Sequence, residues 1–159
     1  MKPILLATDG SPSAAEATRE AIELARTLGA PLLATSVEHV GHVTYGYYGY
    51  AEVFAELRKA AAEHAATLLD EVAACARESG VDCETVQLEG PVVEKICELA
   101  RERDAGMIVI GAHGWGAFRR IVFGSVSLGV LHEAPCPVLV ARGVVAGETT
   151  WVDDRVAVA

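Results

Sequence analysis

Three glycines and two serines carry the chemistry this sequence can do. Gly111, Gly114, Gly124, Ser125 and Ser127 lie in one stretch, GAHGWGAFRRIVFGSVS, which spans residues 111–127. Glycines let backbone come close to a ligand with no side chain in the way. A helix opening at Ser125 offers unpaired N–H groups and a positive dipole end to an anion. Together they describe a phosphate cradle. Arg119 and Arg120 sit inside it and either reach a terminal phosphate or face solvent. His113 has the type of a general base, but no serine–histidine–carboxylate set or metal pair accompanies it. Its placement reads as backbone-driven, and no catalytic residue is assigned.

The elements that position this stretch follow from hydrophobic period and turn residues. Residues 3–9 form a short apolar run that ends in Thr8-Asp9-Gly10-Ser11-Pro12, as a strand buried on both faces does. Ser11 suits a helix N-cap and Pro12 the first helical position. Ala14, Ala17, Ala21, Leu24, Ala25 and Leu28 then recur at helical spacing up to Gly29. Leu32 to Val37 is the second strand, which completes a βαβ unit.

Residues 39–50, HVGHVTYGYYGY, hold all 4 tyrosines and have no period, so they read as a loop. That loop either closes over a base by ring stacking or is a surface segment. A second helix is predicted over 51–79, with Phe54, Leu57, Ala61, Ala65, Leu68, Val72 and Cys75 as its buried stripe. Cys83 to Leu88 is a third strand. Pro91 opens a third helix with Val93, Ile96, Cys97 and Ala100 on its core face. Met107 to Ile110 is the fourth strand, Ser125 to about His132 a short helix, and Val138 to Ala141 the fifth strand. Strands alternating with helices make an open, mostly parallel α/β sheet. His64 and His132 fall within helices and read as structural. Residues 143–159 form a tail in which Thr149-Thr150-Trp151-Val152 is an extra strand or the whole is only partly ordered.

The totals narrow the function classes. A chain of 159 residues makes one domain with a sizeable core. Its 52% hydrophobic content and mean hydropathy of +0.30 exclude a disordered chain. With 13 basic and 22 acidic residues the net charge is −9, which disfavours binding to nucleic-acid backbone. A small anionic ligand needs only a local patch of N–H groups. No apolar run approaches the roughly 20 residues of a membrane span, and the first residues lack a signal-peptide pattern. The expected location is the cytoplasm. Cys75, Cys83, Cys97 and Cys136 show no zinc spacing, so they read as small buried apolar residues.

Ligands of open α/β sheets sit beyond the carboxyl ends of strands where strand order reverses. If the first and fourth strands are neighbours, Asp9 faces the 111–127 loop across one crevice, which suggests a nucleotide. Asp9 either caps the first helix, contacts that ligand, or does both. At the far edge, Val138-Leu139-Val140 would expose apolar residues and unpaired backbone groups, which pairing with a second copy would cover.

Gly111-x2-Gly114-x9-Gly124-Ser125 resembles the nucleotide-binding signature of universal stress proteins of the ATP-binding type. Thr8-Asp9-Gly10-Ser11 and Ala134-Pro135-Cys136-Pro137-Val138-Leu139-Val140 look like the family's other two landmarks. The likeness spans a single domain over residues 1–142. It implies a five-stranded sheet in the order 3-2-1-4-5 with helices on both faces, of the Rossmann-like, adenine nucleotide alpha hydrolase-like kind. It also implies a homodimer through the fifth strand. By position it assigns Ala7 and Asp9 to the nucleoside and Val37 to the adenine edge. Ile110 and Gly111 fall against ribose and base, and Gly114, Gly124, Ser125, Val126 and Ser127 around the phosphates. The implied cofactor is ATP or AMP with Mg2+, and the implied role is stress-linked regulation. The alternatives are a slow ATPase or phosphotransferase using the same cradle, and a nucleotide-free interaction module.

Overall fold

The computed structural model describes residues 1–38, 51–113 and 124–142. Five strands and four helices alternate along them: β1 (Ile4–Ala7), α1 (Pro12–Leu28), β2 (Leu32–Glu38), α2 (Ala51–Glu78), β3 (Cys83–Glu89), α3 (Val92–Glu102), β4 (Met107–Gly111), α4 (Ser125–Glu133) and β5 (Val138–Ala141). All strand pairs are parallel, in the order β3-β2-β1-β4-β5. This is the sheet and order expected. Strand order reverses between β1 and β4, where Ala7 stands level with Thr35 of β2 and Ile110 of β4.

Side-chain alternation sends β1, β2 and β4 residues to two cores. Ile4, Leu6, Leu32, Ala34 and Val109 pack under α1 and α2. Leu5, Ala7, Leu33, Ile108 and Ile110 pack under α3 and α4. Helices therefore cover both faces, which is why the central strands read as continuous apolar runs. Leu5, Leu6 and Ile108 are wholly buried, each worth about 1.5–3 kcal/mol of transfer free energy.

Local rules account for the helix ends. Ser11 Oγ accepts the Ala14 amide at 3.3 Å with Pro12 at the first helical position, and Gly29 closes α1 in the left-handed conformation at φ 64°.

Helix α2 departs from the expected stripe. Ala65, Leu69, Val72 and Ala76 are buried, whereas Leu57, Ala61 and Cys75 are exposed and Leu68 is half-buried; the Phe54 side chain lies outside the described set. Two causes act: the buried stripe is turned by one residue, to Leu69 and Ala76 from Leu68 and Cys75, and the helix outruns the sheet. At 28 residues α2 is about 42 Å long, against about 23 Å for its seven-residue strand neighbours. Gln87 Nε2 donates to Ala62 O at 3.1 Å and Arg58 pairs with Glu89 at 2.9 Å. These contacts place residues 58–62 beside the carboxyl end of β3, so the first turns extend past the sheet.

In α3, Leu99 is buried with Ile96, Cys97 and Ala100, while Val93 is half-buried. The cysteines also differ from expectation: Cys97 is buried, Cys83 and Cys136 are intermediate, and Cys75 is exposed. Burial is the main influence holding the Cys83, Cys97 and Cys136 thiols above the usual cysteine range. Among the described residues no helix is long and apolar enough to cross a membrane.

Candidate functional site

A cavity of about 500 Å³ opens at the carboxyl ends of β1, β2 and β4, the strand-reversal point where open α/β sheets hold ligands. Its walls are mainly apolar: Ala7, Val37 and Ile110 come from the strands, Val92 and Ile96 from α3, and Val126 from α4. Its polar groups are few. They come from Thr8, Asp9, Thr35 and His113, and from Ser125 and Ser127 at the start of α4. An apolar slot with a few convergent polar groups is the usual make-up of a small-molecule site.

The turn after β1 is built by its own side chains. Asp9 Oδ1 accepts the Ser11 amide at 2.9 Å, an Asx turn, and Gly10 takes φ 74°, a conformation open to glycine at little cost. Ser11 is fully buried, and besides capping α1 its Oγ donates to His113 O at 3.1 Å. That hydroxyl ties the start of α1 to the segment leaving β4. Thr35 Oγ1 is engaged with Val86 O at 2.8 Å, so it contributes shape more than a free donor.

The segment after β4 is held as tightly. Gly124 N donates to Ala112 O at 2.8 Å, and Ser127 Oγ lies 3.0 Å from both Ala112 O and Gly124 O. Ser127 is buried and its hydroxyl serves the protein, leaving its backbone amide for a ligand. Gly124 is the N-cap of α4 and brings no side-chain cap to the first amides. The first turn of that helix therefore meets the cavity with N–H groups that a helix cannot satisfy internally, at its positive dipole end.

Gly111 has a different reason from the one its spacing suggests. A Cβ there would lie 2.7 Å from Ser13 C and 2.8 Å from Ala14 N, inside the backbone of α1. The glycine lets α1 lie against β4, and the ligand wall follows from that packing. At Gly124 a Cβ would meet Ala112 O at 3.4 Å and His113 Cα at 3.6 Å, ordinary contact distances.

Of the residues singled out from sequence, the structure gathers Ala7, Asp9, Val37, Ile110, Gly111, Ser125, Val126 and Ser127 on this cavity, with Gly124 adjoining it. Gly114, Arg119, Arg120, the Tyr45–Tyr50 segment and the 143–159 tail lie outside the described residues. His64 and His132 are on helices, both exposed. Sequence reading passed over Val92, Ile96, Thr35 and Ala14. For Val92 and Ile96 a signal existed: the first turns of the helix after β3 share the sheet's carboxyl end.

Comparison with known proteins agrees with the fold. The family model described as Universal stress protein family matches residues 1–142. A universal stress protein of Methanocaldococcus jannaschii is 37% identical over 142 residues, covering 89% of this chain and 82% of that protein. The structure of the universal stress protein UspA from Lactobacillus plantarum superposes with a TM-score of 0.80 at 29% identity, covering 89% of this chain and 97% of that one. The universal stress protein of Archaeoglobus fulgidus, solved in complex with dAMP, superposes with a TM-score of 0.60 at 25% identity, covering 89% and 98%.

Proposed function

This chain belongs to the universal stress protein family, and we propose that it binds an adenine nucleotide, ATP or AMP, and acts as a homodimeric stress-response regulator in the cytoplasm. One observation carries the reading: an apolar slot and the N-terminus of α4 open into the same cavity at the strand-reversal point. The slot suits a purine ring, with Val37 at the adenine edge and Ala7, Ile110 and Gly111 against base and ribose. Asp9 at the rim suits ribose hydroxyls. The backbone amides of Ser125, Val126 and Ser127, with Gly124 beside them, suit phosphate oxygens. Gly114 joins this set by its spacing alone. The dAMP held by the Archaeoglobus relative is of the same ligand class. Residues 1–142 form the binding domain in this reading, and 143–159 a tail.

Among the described residues no group of three or more His, Cys, Asp or Glu is placed to hold a metal ion. A Mg2+ arriving with ATP needs no such group, since this ion usually keeps several waters and is bound by phosphates with one or two carboxylates. The dimer is supported by β5, the edge strand of the sheet among the described residues, whose Val138, Leu139 and Val140 are only half-buried. Leu128 and Leu131 of α4 are exposed at 47% and 42%. A second copy paired along β5 would cover this edge.

Mass spectrometry of gently purified full-length protein, denatured to release ligand, tests the reading. Co-purifying ATP, ADP or AMP is the expected result. A vacant protein whose melting temperature is unmoved by AMP or Mg-ATP would refute it.

A further inference from the structure

His113 is the residue of this cavity that neither the glycine spacing nor the backbone argument explains. Among the described residues, its Nδ1 is the buried side-chain polar atom without a hydrogen-bond partner. A buried polar atom left unmatched costs about 1–3 kcal/mol, and native structures rarely leave one without a protein, water or ligand partner. The residue lines the cavity and is half-buried.

Its position is fixed from two sides. The His113 carbonyl accepts Ser11 Oγ at 3.1 Å, and Ser11 is the N-cap of α1. The preceding carbonyl, Ala112 O, accepts Gly124 N at 2.8 Å, and Gly124 is the N-cap of α4. His113 is thus clamped between the starts of two helices, both with their positive dipole ends at this point. An anion there meets two helix dipoles, the first amides of α4 and an imidazole.

We propose that His113 is a phosphate-binding residue whose Nδ1–H donates a hydrogen bond to the phosphate of the bound nucleotide. Nδ1 is closed off from solvent as the ring stands, and because the ring torsion of histidine is soft, turning the ring about it can bring this nitrogen to the cavity while the backbone stays clamped. The inference rests on the adenine-nucleotide reading above and adds a side-chain donor to a cradle otherwise made of backbone. It also predicts a preference: His113 favours nucleotides over the nucleoside, because adenosine has no group for it to hold.

Calorimetric titration of the full chain with AMP and with adenosine tests this. The variants are His113→Ala, His113→Asn, whose amide stands near the Nδ1 position, and His113→Gln, whose amide stands near Nε2. The wild type is expected to bind AMP more tightly than adenosine. H113A should weaken AMP about tenfold or more, the value of one charge-assisted bond, and leave adenosine nearly unchanged. H113N should recover most of the AMP affinity and H113Q should not. Thermal melting checks that each variant is folded; H113N still decides the matter if H113A is not. H113A binding AMP like the wild type, or losing adenosine to the same extent, overturns the inference and spares the nucleotide reading. Recovery by H113Q and not H113N overturns the assignment to Nδ1. Wild-type protein that binds neither ligand overturns both.

Discussion

Replacing Gly111 by alanine adds one methyl group and should cost the protein much of its stability. Gly111 has no positive φ, so alanine meets no conformational penalty there. Elsewhere such a change stabilises by about 0.4–1 kcal/mol, because it restricts the unfolded chain. Here the new Cβ would stand 2.7 Å from Ser13 C, 2.8 Å from Ala14 N and 2.9 Å from Ser13 O. These atoms are backbone in the first turn of α1, so no side chain can swing aside. Either α1 lifts from β4 or β4 shifts within the sheet, and both disturb the core of Ile4, Leu6, Ala17 and Val109. Overpacking of this kind costs about 1–3 kcal/mol. For a chain of this size each kcal/mol moves Tm by about 2–4 °C, so a fall of roughly 2–12 °C is expected. Gly124→Ala is the steric control: among the described residues its Cβ meets nothing nearer than 3.4 Å, so its only cost is the poorer N-cap that alanine makes, about 1 kcal/mol or roughly 2–4 °C. Paired thermal and urea unfolding of the two variants is the assay. A Gly111→Ala protein as stable as the wild type would refute the packing account and return Gly111 to a ligand-only role.

Other outcomes follow from the same geometry. Ile108→Ala, at a wholly buried position, should lower unfolding free energy by about 2–5 kcal/mol in urea titration. Gly124→Val should leave the fold intact and abolish AMP binding in calorimetry, because its branches fill the space before the α4 amides. Asp9→Ala should weaken AMP about tenfold, with a Tm measurement to separate loss of the Ser11 turn from loss of ligand contact. Val140→Pro should dissociate a β5-paired dimer in sedimentation while keeping the monomer folded. The reason is that Pro137 and Ala141 point their carbonyls at β4, which turns the Val140 amide outward by alternation. The Glu84 carboxyl is held below the usual range chiefly by its hydrogen bond from Arg103. A lowered folded pKa contributes stability above the ordinary carboxylate range and loses it as pH falls through the lowered value. Arg103→Ala should therefore cost a small amount of Tm near neutrality and nothing in strong acid; an equal loss at both pH values would contradict this.

Most of the fold was legible because each element carries its own punctuation. Ser11-Pro12 and Gly29 bracket α1, and the apolar runs at 4–7 and 107–110 suit only a strand covered on both faces. The phase of α2 was not legible, since alanines at 60, 61, 62, 65, 66, 73, 74 and 76 surround the helix and dilute its moment. Only the sheet beneath decides that Leu69 and Ala76 are inside and Leu57 and Cys75 outside. Within the site, glycine spacing located the cavity wall, yet the steric demand at Gly111 comes from α1, almost a hundred residues away in sequence. His113 looked incidental for a similar reason. What singles it out is a nitrogen without a partner and two helix caps converging on its backbone, and neither can be read from a string of residues.

The carbonyl of Ala112 has a consequence for how this site can change. By accepting both Gly124 N and Ser127 Oγ, it fastens together the two ends of the segment between His113 and Gly124. The closure cost of that segment is thus met by the scaffold, whatever residues fill it. Lengthening such a closed loop is inexpensive, about 0.6 kcal/mol for each doubling. A change in the length of chain between those two residues therefore need not disturb β4, α4 or the core. One peptide oxygen thereby keeps the end of β4 and the start of α4 together, whatever the length of chain that joins them.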